Sequence, residues 1–378
     1  ISSWTTVSYS SVKVFEAHGL RVDGILNNVS YTNAVASGTA INALFLNAAS
    51  SNVFSVVLAS NPTGIAAELN ANSNHNVIRL STMIGSYDTA FYATGADSNT
   101  ITQSHLQGGQ NGTIWIAGSD YNFIRLSTMI GSSNSAFYAS GSDSNTLTQN
   151  YLQADQYAYF LEAGSDRNSV TQSTMIGVSN TAIYTSDADS NTVMWSYIRG
   201  GQNGVIFFTG SDYNSIILST MIGSSNTGIY TSYADFNTVS QSYLQAGGFA
   251  LYLDPGSDSN MISLSTMIAG IYGFYTSAAA SNTGTRSYMW GEVSGANMDY
   301  LSSRNTISLS TMISAAAGTA GIRVDRSFSN TISGSYIQGS TAAYITGSTG
   351  TVINSSVLVG TNTFGAGLWL DNSSLNLS

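Results

Sequence analysis

The sequence predicts an all-β fold: a single parallel β-helix of about 16 turns, each about 23 residues long. Three observations predict it. An asparagine returns at a fixed spacing, apolar residues return at fixed offsets from that asparagine, and short strand-like runs are separated by Gly, Asn and Asp. A fixed period of this size is typical of a solenoid, in which each turn contacts mainly its neighbours.

The repeating asparagine sets the period. In the central part of the chain, its copies are 23 residues apart: Asn76, Asn99, Asn122, Asn145, Asn168, Asn191, Asn214, Asn237 and Asn260. The spacing is looser on either side, where the equivalent positions are Asn28, Asn52, Asn282, Asn305, Asn330, Gly350 and Ser373. We therefore expect slightly longer turns in residues 1–75, strict turns in 76–281 and irregular turns in 282–378. Each asparagine is expected to adopt a left-handed turn conformation, with its side-chain amide in a ladder along the axis.

Three apolar columns identify the predicted core. Ile, Leu or Val follows the asparagine by two residues, and Met, Leu or Ile follows it by seven, as Ile124 and Met129 follow Asn122. A large apolar residue follows by fifteen: Phe91, Ile114, Phe137, Phe160, Ile183, Ile206 and Ile229. We expect three short strands per turn, with equivalent residues about 4.8 Å apart in neighbouring turns. A serine five residues after most asparagines, such as Ser127, is expected to bond to its copies.

Composition excludes several classes of function. Only 8% of the residues are charged, the net charge is −10, and Lys13 is the only lysine. Because nucleic-acid binding needs clustered positive charge, we expect no nucleic-acid partner. No apolar run has the length that crosses a membrane, so we expect no membrane insertion. The chain has no Cys, which excludes a disulfide framework and thiolate metal sites.

The repeat unit also carries a family resemblance. Runs such as "SNTITQSHLQGG" from Ser98 and "GSDSNTLTQN" from Gly141 resemble the right-handed parallel β-helix superfamily. They are most similar to the NosD-type repeats of carbohydrate-binding and sugar-hydrolase proteins, and to pectate-lyase-like folds. The resemblance covers nearly the whole chain and implies the fold. It leaves the activity open, since such proteins include lyases, hydrolases, epimerases, phage tailspikes, adhesins and passive scaffolds.

A second period of two turns lies on columns that are expected to face outward. Turns with "STMIG" alternate with turns of the "SYLQ" type, so that Thr128 is followed by Tyr151 and Ile130 by Gln153. The resulting wall is flat and half apolar. Two explanations remain open: duplication of a two-turn unit, or a repeated contact surface, because contiguous exposed apolar patches usually mark interaction sites.

An aromatic stripe is expected sixteen residues after the asparagine, facing outward. Its candidate binding residues are Tyr92, Trp115, Tyr138, Tyr184, Phe207, Tyr230 and Tyr275, with Leu161 and Leu253 in the same column. Stacked rings stabilise a sheet by themselves through cross-strand pairing. They also form a platform for sugar rings or for another copy of the protein. Structural stacking, protein contact and carbohydrate binding therefore remain as alternatives.

An acidic column lies two residues before the asparagine: Asp97, Asp120, Asp143, Asp166, Asp189, Asp212, Asp235 and Asp258. Like charges about 4.8 Å apart repel by roughly 1 kcal/mol per pair even at the dielectric constant of water. That spacing favours raised pKa values or bound cations, and oxygen ligands of this kind suit Ca²⁺. The simpler interpretation is that each Asp forms an Asx-turn leading into the asparagine. Calcium along this column is the one cofactor that the sequence suggests.

The sequence offers little support for catalysis. His18, His75 and His105 are scattered, and no nucleophile motif accompanies them. Asp155, Glu162, Asp187 and Asp254 break the repeat and could form a groove with Arg199. The irregular segment from Glu292 to Arg304 is the other place for a site. An enzyme of this kind would be a polysaccharide lyase, hydrolase or epimerase.

The composition and regular walls favour a non-enzymatic structural or adhesive protein, extracellular or at the cell surface. Neither end reads as a capping helix, and Ser378 falls in the middle of a turn. An open turn exposes unpaired backbone groups to another chain. Missing flanking sequence, end-to-end stacking and caps supplied by partner chains all explain such ends, and we expect self-association into a homo-oligomer, filament, surface layer or adhesin stalk. The alternative is a polysaccharide-binding or polysaccharide-cleaving β-helix.

Overall fold

The computed structural model describes residues 1–362, 365–373 and 375–377, with side chains through residue 373. Strands, turns and bends make up this part of the chain. None of its segments is a helix with the length and hydropathy needed to cross a membrane. The fold is a parallel β-solenoid of about 16 turns, as the sequence predicts.

The chain divides into two compact units, Ile1–Thr192 and Val193–Ser378. The strands of the first unit are β1 Thr6–Ser8, β2 Ser11–Phe15, β3 Leu20–Val22, β4 Asn28–Ser37, β5 Leu44–Leu46, β6 Val53–Asn61, β7 Ala67–Leu69, β8 Val77–Arg79, β9 Thr82–Gly85, β10 Phe91–Thr94, β11 Thr100–Thr102, β12 His105–Gly108, β13 Thr113–Ile116, β14 Phe123–Arg125, β15 Thr128–Gly131, β16 Ser135–Ser140, β17 Thr146–Thr148, β18 Tyr151–Ala154, β19 Tyr157–Glu162, β20 Ser169–Thr171, β21 Thr174–Gly177 and β22 Thr181–Ser186.

The division between the units falls within β23, Thr192–Met194. The strands of the second unit are β24 Tyr197–Gly200, β25 Asn203–Phe208, β26 Ser215–Ile217, β27 Thr220–Gly223, β28 Thr227–Ser232, β29 Thr238–Ser240, β30 Tyr243–Ala246, β31 Phe249–Leu253, β32 Met261–Ser263, β33 Thr266–Ala269, β34 Tyr272–Ser277, β35 Thr283–Thr285, β36 Tyr288–Gly291, β37 Ser294–Asp299, β38 Thr306–Ser308, β39 Thr311–Ser314, β40 Ala320–Asp325, β41 Thr331–Ser333, β42 Tyr336–Gly339, β43 Thr341–Thr346, β44 Thr351–Asn354, β45 Val357–Gly360, β46 Leu368–Asp371 and β47 Leu375–Leu377.

Each regular turn contributes a first, a second and a third strand. Within each unit, first and second strands form one parallel sheet and third strands form another. Pairing is in register with the preceding turn, so that Ile101 faces Ile124 and Leu106 faces Met129. Near the N-terminus, β4 and β6 are long and replace the separate first and second strands, while the extra residues of the early turns lie before β5 and after β7.

Two of the three predicted apolar columns are confirmed. The residues two and seven positions after the asparagine, such as Ile124 and Met129, are fully buried. Burying such a side chain completely stabilises the fold by about 1.5–3 kcal/mol. The serine column is also confirmed, since the Ser104 backbone N–H donates to Ser127 Oγ at 3.1 Å.

The third predicted core column, fifteen residues after the asparagine, is wrong in every other turn, where its residue faces outward instead of into the core. In β13, Trp115 is 1% exposed and points into the core, while Ile114 pairs with Tyr92 on the outward face. Leu161, Phe207 and Leu253 likewise point inward, so they and Trp115 are not part of an outward stripe. The physical reason is that the connection between the second and third strands differs in length. Six positions separate Gly85 from Phe91, whereas five separate Gly108 from Thr113, and an extra residue after β13 restores the 23-residue period.

The asparagine ladder is present, but its backbone differs from the prediction. Asn145 Oδ1 accepts the Asn122 backbone N–H at 2.8 Å, and the Asn145 N–H donates to Asn168 Oδ1 at 2.9 Å. The left-handed residue is the one before the asparagine, for example Tyr121 with φ of 56°. The Asn122 carbonyl oxygen accepts the Thr146 N–H of the next turn at 2.9 Å.

Three of the looser assignments near the ends also shift. Asn27, not Asn28, occupies the ladder, since Asn27 Oδ1 accepts the Thr5 N–H at 2.8 Å. Buried Thr351, not Gly350, stands next to Asn330 in register. Ser373 Oγ accepts the Ser348 N–H at 3.0 Å and so belongs to a serine column. The predicted end of the chain within a turn concerns Ser378, which lies outside the described residues.

Candidate functional site

The outward face of the third strands in the second unit carries aromatic, acidic and basic side chains in neighbouring turns. One column there runs through neighbouring turns in register, and we call it the ring column: Ile206, Tyr230, Tyr252, Tyr275, Asn297, Arg323, Tyr344 and Trp369. The Tyr230 and Tyr252 ring centroids are 5.3 Å apart, and those of Tyr252 and Tyr275 are 4.8 Å apart. Both pairs are edge-to-face, an arrangement that aromatic rings favour.

A second column, two residues further along each strand, carries carboxylates. We call it the acid column, and it contains Asp254, Asp299, Asp325 and Asp371. Asp254 accepts hydrogen bonds from two phenols, with Tyr230 Oη to Oδ2 at 2.5 Å and Tyr252 Oη to Oδ1 at 2.9 Å. Tyr275 Oη donates to Asp299 Oδ2 at 3.1 Å. Rings and carboxylates are thus held together in fixed positions on one half-exposed surface.

These contacts keep the phenols in their protonated, donating form. Burial, followed by the hydrogen bond to Asp254, raises the pKa of Tyr230 to about 12. Burial also raises the pKa of Tyr252, again with a contribution from Asp254. Burial and the Asp299 charge raise the pKa of Tyr275 to about 12. At neutral pH the three phenols therefore donate, and Asp254 and Asp299 accept.

Two arginines balance part of the acid column. Arg323 Nη2 contacts Asp325 Oδ2 at 2.9 Å, and the Arg323 guanidinium lies 5.7 Å from the Tyr344 ring centroid. Arg326 contacts Asp325 Oδ1 at 3.3 Å and Asp299 Oδ1 at 3.7 Å. Since each arginine already faces a carboxylate, this part of the surface has no excess of positive charge.

The first unit has a smaller version of this face. Tyr138 Oη donates to Glu162 Oε2 at 2.7 Å, and Phe160 lies between Tyr138 and Tyr184 in edge-to-face contacts of 5.1 and 5.2 Å. Tyr157 packs beside Phe160 with ring centroids 5.0 Å apart. Burial, then the hydrogen bond to Glu162, raises the pKa of Tyr138. Ring and carboxylate therefore occur together in both units.

The predicted aromatic stripe is only partly at the surface. Tyr92, Tyr138, Tyr184, Tyr230 and Tyr275 are half-buried on the outward face of the third strands. Trp115 and Phe207 are 1% and 3% exposed and are core residues, so a direct role of these two side chains in binding is not compatible with their placement. Ligand binding by the five tyrosines stays a prediction.

The aspartate column is a hydrogen-bonded ladder. Carboxylates along it accept the backbone N–H of the next aspartate, as Asp120 Oδ1 does from Asp143 at 2.7 Å and Asp235 Oδ1 does from Asp258 at 2.6 Å, and Asp258 Oδ1 accepts the Ala280 N–H at 2.7 Å. Burial raises the pKa of Asp120 and of Asp235, with repulsion from neighbouring aspartates adding to it. Within residues 1–362, 365–373 and 375–377, no three His, Asp or Glu side chains are grouped to hold a metal ion. Calcium along this column stays a prediction.

The residues proposed for a catalytic groove are spread over different surfaces. In the second unit, Arg199 lies on second strand β24, whereas Asp254 lies at the end of third strand β31, so these two belong to different sheets. In the first unit, Asp155 lies in the turn after β18 and Asp187 follows β22. Only Glu162 joins an aromatic cluster there, through its bond with Tyr138.

The three histidines all lie in the first unit. His18 stacks on Phe45, and its Nδ1 accepts the Asn42 N–H at 3.0 Å. His105 Nε2 lies 3.3 Å from Gln107 Oε1 on the second strands. Phe45 lies on third strand β5 in register with Glu68 and Tyr92, so His18 contacts the outward face of the third strands in the first unit, whereas His105 lies on the second strands.

Several residues of the face lie outside the sequence prediction. Tyr252, Arg323, Tyr344 and Trp369 are absent from the predicted stripe, because the outward residue of these turns does not lie sixteen residues after the asparagine; Tyr252 lies fifteen after it, Arg323 eighteen and Tyr344 fourteen. Asp299 falls inside the irregular segment that the sequence does indicate. The sequence does contain a signal for the facing of the third strand. Sixteen residues after the asparagine, the "STMIG" turns have a tyrosine, which faces outward. The alternate turns have Trp115, Leu161 or Phe207 there, side chains without a hydroxyl group, and these are buried.

Comparison with known families gives one match. The family described as "Periplasmic copper-binding protein (NosD)" matches residues 5–172 and 70–227, which together span more than half of the chain. No curated protein matches the sequence.

Solved structures resemble the chain distantly. The periplasmic alginate epimerase AlgG is 10% identical, with 93% of this chain and 78% of that chain covered and a TM-score of 0.44. The A-module of the Azotobacter vinelandii mannuronan C-5 epimerase AlgE4 is 7% identical, with 94% and 89% covered and a TM-score of 0.44. The Dettilon tailspike protein is 15% identical, with 80% of this chain and 62% of that chain covered and a TM-score of 0.36. The chain thus spans less than two thirds of that tailspike.

Proposed function

The chain belongs to the NosD family, and we propose that the third-strand face of its second unit binds a neutral polysaccharide outside the cytoplasm. The observation that carries the proposal is the pairing of the ring column with the acid column. Tyr230 and Tyr252 both donate to Asp254, and Tyr275 donates to Asp299. The sequence alone favours a structural protein, while the geometry of this face favours its alternative, a carbohydrate-binding β-helix.

The chemistry of a sugar matches the two columns. A pyranose ring has an apolar C–H face that packs on an aromatic side chain, and hydroxyl groups at its edge that need hydrogen-bond partners. Ligand sites are mostly apolar and aromatic, with a few fixed polar groups that orient the ligand. Here the rings supply the packing surface and the carboxylates accept the hydroxyl hydrogen bonds, which are strengthened by charge. The repeat along the axis provides several such positions for a polymer.

The charge of the face favours a neutral polymer. The acid column has four aspartates, and its arginines already contact Asp325 and Asp299. The whole chain carries a net charge of −10. A polyuronate would add like charge to this surface and would be repelled, whereas a neutral glycan loses nothing to repulsion.

Copper does not fit the residues of this chain. Copper prefers imidazole, thiolate and thioether ligands. The chain has no Cys and three His, and the described residues offer no group of three His, Asp or Glu. Thioethers such as those of Met267, Met289 and Met312 are fully buried in the core. The proposal therefore includes no copper chemistry.

The test is binding of neutral polysaccharides to the whole protein, measured by affinity electrophoresis and calorimetry with galactomannan, xyloglucan and starch, and with alginate for comparison. Tyr252→Ala removes one packing contact and is expected to lower the affinity about tenfold, or about 1.4 kcal/mol. Tyr243→Ala is the matched control, because Tyr243 is also half-buried but lies on a second strand, bonded to Gln245. Equal affinity of the two variants, or no binding of any neutral polysaccharide, would contradict the proposal.

Self-association is a second candidate, supported by the flat wall of second strands. There Ile222 and Ile268 alternate with Gln245 between neighbouring turns, as the two-turn period predicts. A cell-surface location and a filament or stalk role go with this candidate. Sedimentation and electron microscopy over a range of concentrations decide it, since a monomer at every concentration would exclude it.

A further inference from the structure

The first position of the third strands forms a column of its own in the second unit. We call it the entry column: Thr227, Phe249, Tyr272, Ser294, Ala320 and Thr341. Phe249 packs 5.2 Å from both Tyr252 and Tyr275, and Tyr272 stacks on Tyr275 at 5.2 Å. In these two turns, an aromatic ring of the entry column fills the space beside the ring column.

The next three turns lack that ring. Ser294, Ala320 and Thr341 are small, and they line a cavity of about 230 Å³ together with Arg323, Tyr344 and Trp369. Cavities of about 150 Å³ accept a benzene molecule. A space of about 230 Å³ therefore has room for one six-membered ring that carries hydroxyl groups.

The walls of the cavity combine an aromatic surface with polar groups. Trp369 is half exposed and packs edge-to-face with Tyr344, with ring centroids 5.8 Å apart. Arg323 Nη2 is bonded to Asp325, but Arg323 Nε is buried and has no hydrogen-bond partner among the described residues. This unpaired donor is a cost that the folded chain carries in the cavity wall.

We propose that this cavity is a subsite for a single neutral hexose unit, an inference that rests on the glycan binding proposed above. The hexose packs its C–H face on Trp369, and its hydroxyl groups hydrogen-bond with polar lining side chains such as Thr341. We assign an uncharged hexose because Asp325, 2.9 Å from Arg323, already balances the positive charge of this arginine. The cavity lies in line with the ring column, so one polymer can occupy both surfaces.

The decisive variant is Ala320→Phe, which places in the cavity the kind of side chain that Phe249 places in its own turn. Binding of methyl glucopyranoside, methyl galactopyranoside and methyl mannopyranoside is measured by saturation-transfer NMR and calorimetry. We expect the wild-type protein to bind at least one of them, and Ala320→Phe to weaken that binding about tenfold or more. Trp369→Ala, at the rim, is expected to weaken it similarly and serves if Ala320→Phe does not fold. Tyr243→Ala should leave it unchanged.

The outcomes separate the two proposals. If neutral polysaccharides bind and Tyr252→Ala weakens them, but no methyl hexoside binds or both cavity variants keep wild-type affinity, the subsite is wrong and the proposed function stands. If no neutral polysaccharide binds, the proposed function is wrong. Tighter binding of methyl glucuronide than of the neutral hexosides would overturn the neutral assignment of the cavity.

Discussion

The asparagine corner and the outward face of the third strands repeat with the same period, yet they vary in opposite ways. At the corner, Asn122, Asn145 and Asn168 bond to one another and keep the same identity. On the third-strand face of the second unit, tyrosine gives way to asparagine, arginine and tryptophan. A side chain that bonds to its copy in the next turn is restricted to residues that can keep that bond, whereas an outward side chain is less restricted. The departures from the repeat on the third-strand face are therefore the part of this solenoid in which we look for a binding surface.

The largest expected effect tests which residues of the third strand lie inside. Trp115→Ala is expected to lower the free energy of unfolding by about 3–5 kcal/mol, because a buried aromatic side chain leaves a large cavity. Ile114→Ala, on the outward face of the same strand, is expected to cost less than about 1 kcal/mol. Urea unfolding followed by circular dichroism measures both. If Ile114→Ala lowered the free energy of unfolding more than Trp115→Ala did, Ile114 rather than Trp115 would be the buried residue of this strand.

The same two regions show how much of the fold and of the candidate site could be predicted from the sequence. The ladder at the corner was predictable, because Asn, Ile124 and Met129 have equal spacing in every strict turn and form contacts with their own copies, but the left-handed residue was placed one position too late. The third strand was not, because a shorter turn before it and a longer one after it cancel in the total of 23 residues. Phe160 and Leu161 are both apolar, so hydropathy alone does not say which one is buried. The cavity beside Trp369 depends on packing between turns, which the period does not contain.

The next effect concerns the corner itself. Asn145→Ala removes the oxygen that accepts the buried Asn122 N–H, and leaving a buried donor unpaired costs about 1–3 kcal/mol. We expect a loss of about 2 kcal/mol in the free energy of unfolding. Thr146→Ala is the control, since this neighbour is half-buried and faces outward. Similar unfolding midpoints for the two variants would mean that the ladder adds little stability.

The smallest expected effect on stability at neutral pH comes from the ring and acid columns, and the titration of Tyr230 is the most direct test of their coupling. Its pKa is raised to about 12 by burial and by the hydrogen bond to Asp254, whereas a phenol in the unfolded chain titrates near about 10. Between these values the unfolded chain loses a proton that the folded chain keeps, so the folded state loses stability as the pH rises through this window.

The Asp254→Asn substitution weakens the hydrogen bond that helps to raise the pKa of Tyr230, but it leaves the tyrosine as buried as before. We therefore expect it to lower the pKa of Tyr230 part of the way toward about 10, measured by the ultraviolet absorbance of the phenolate. Tyr230→Phe should remove that component of the titration altogether and make the alkaline loss of stability less steep. An unchanged titration in Asp254→Asn would mean that the phenol and the carboxylate are not coupled, and the ring and acid columns would then not act as one surface.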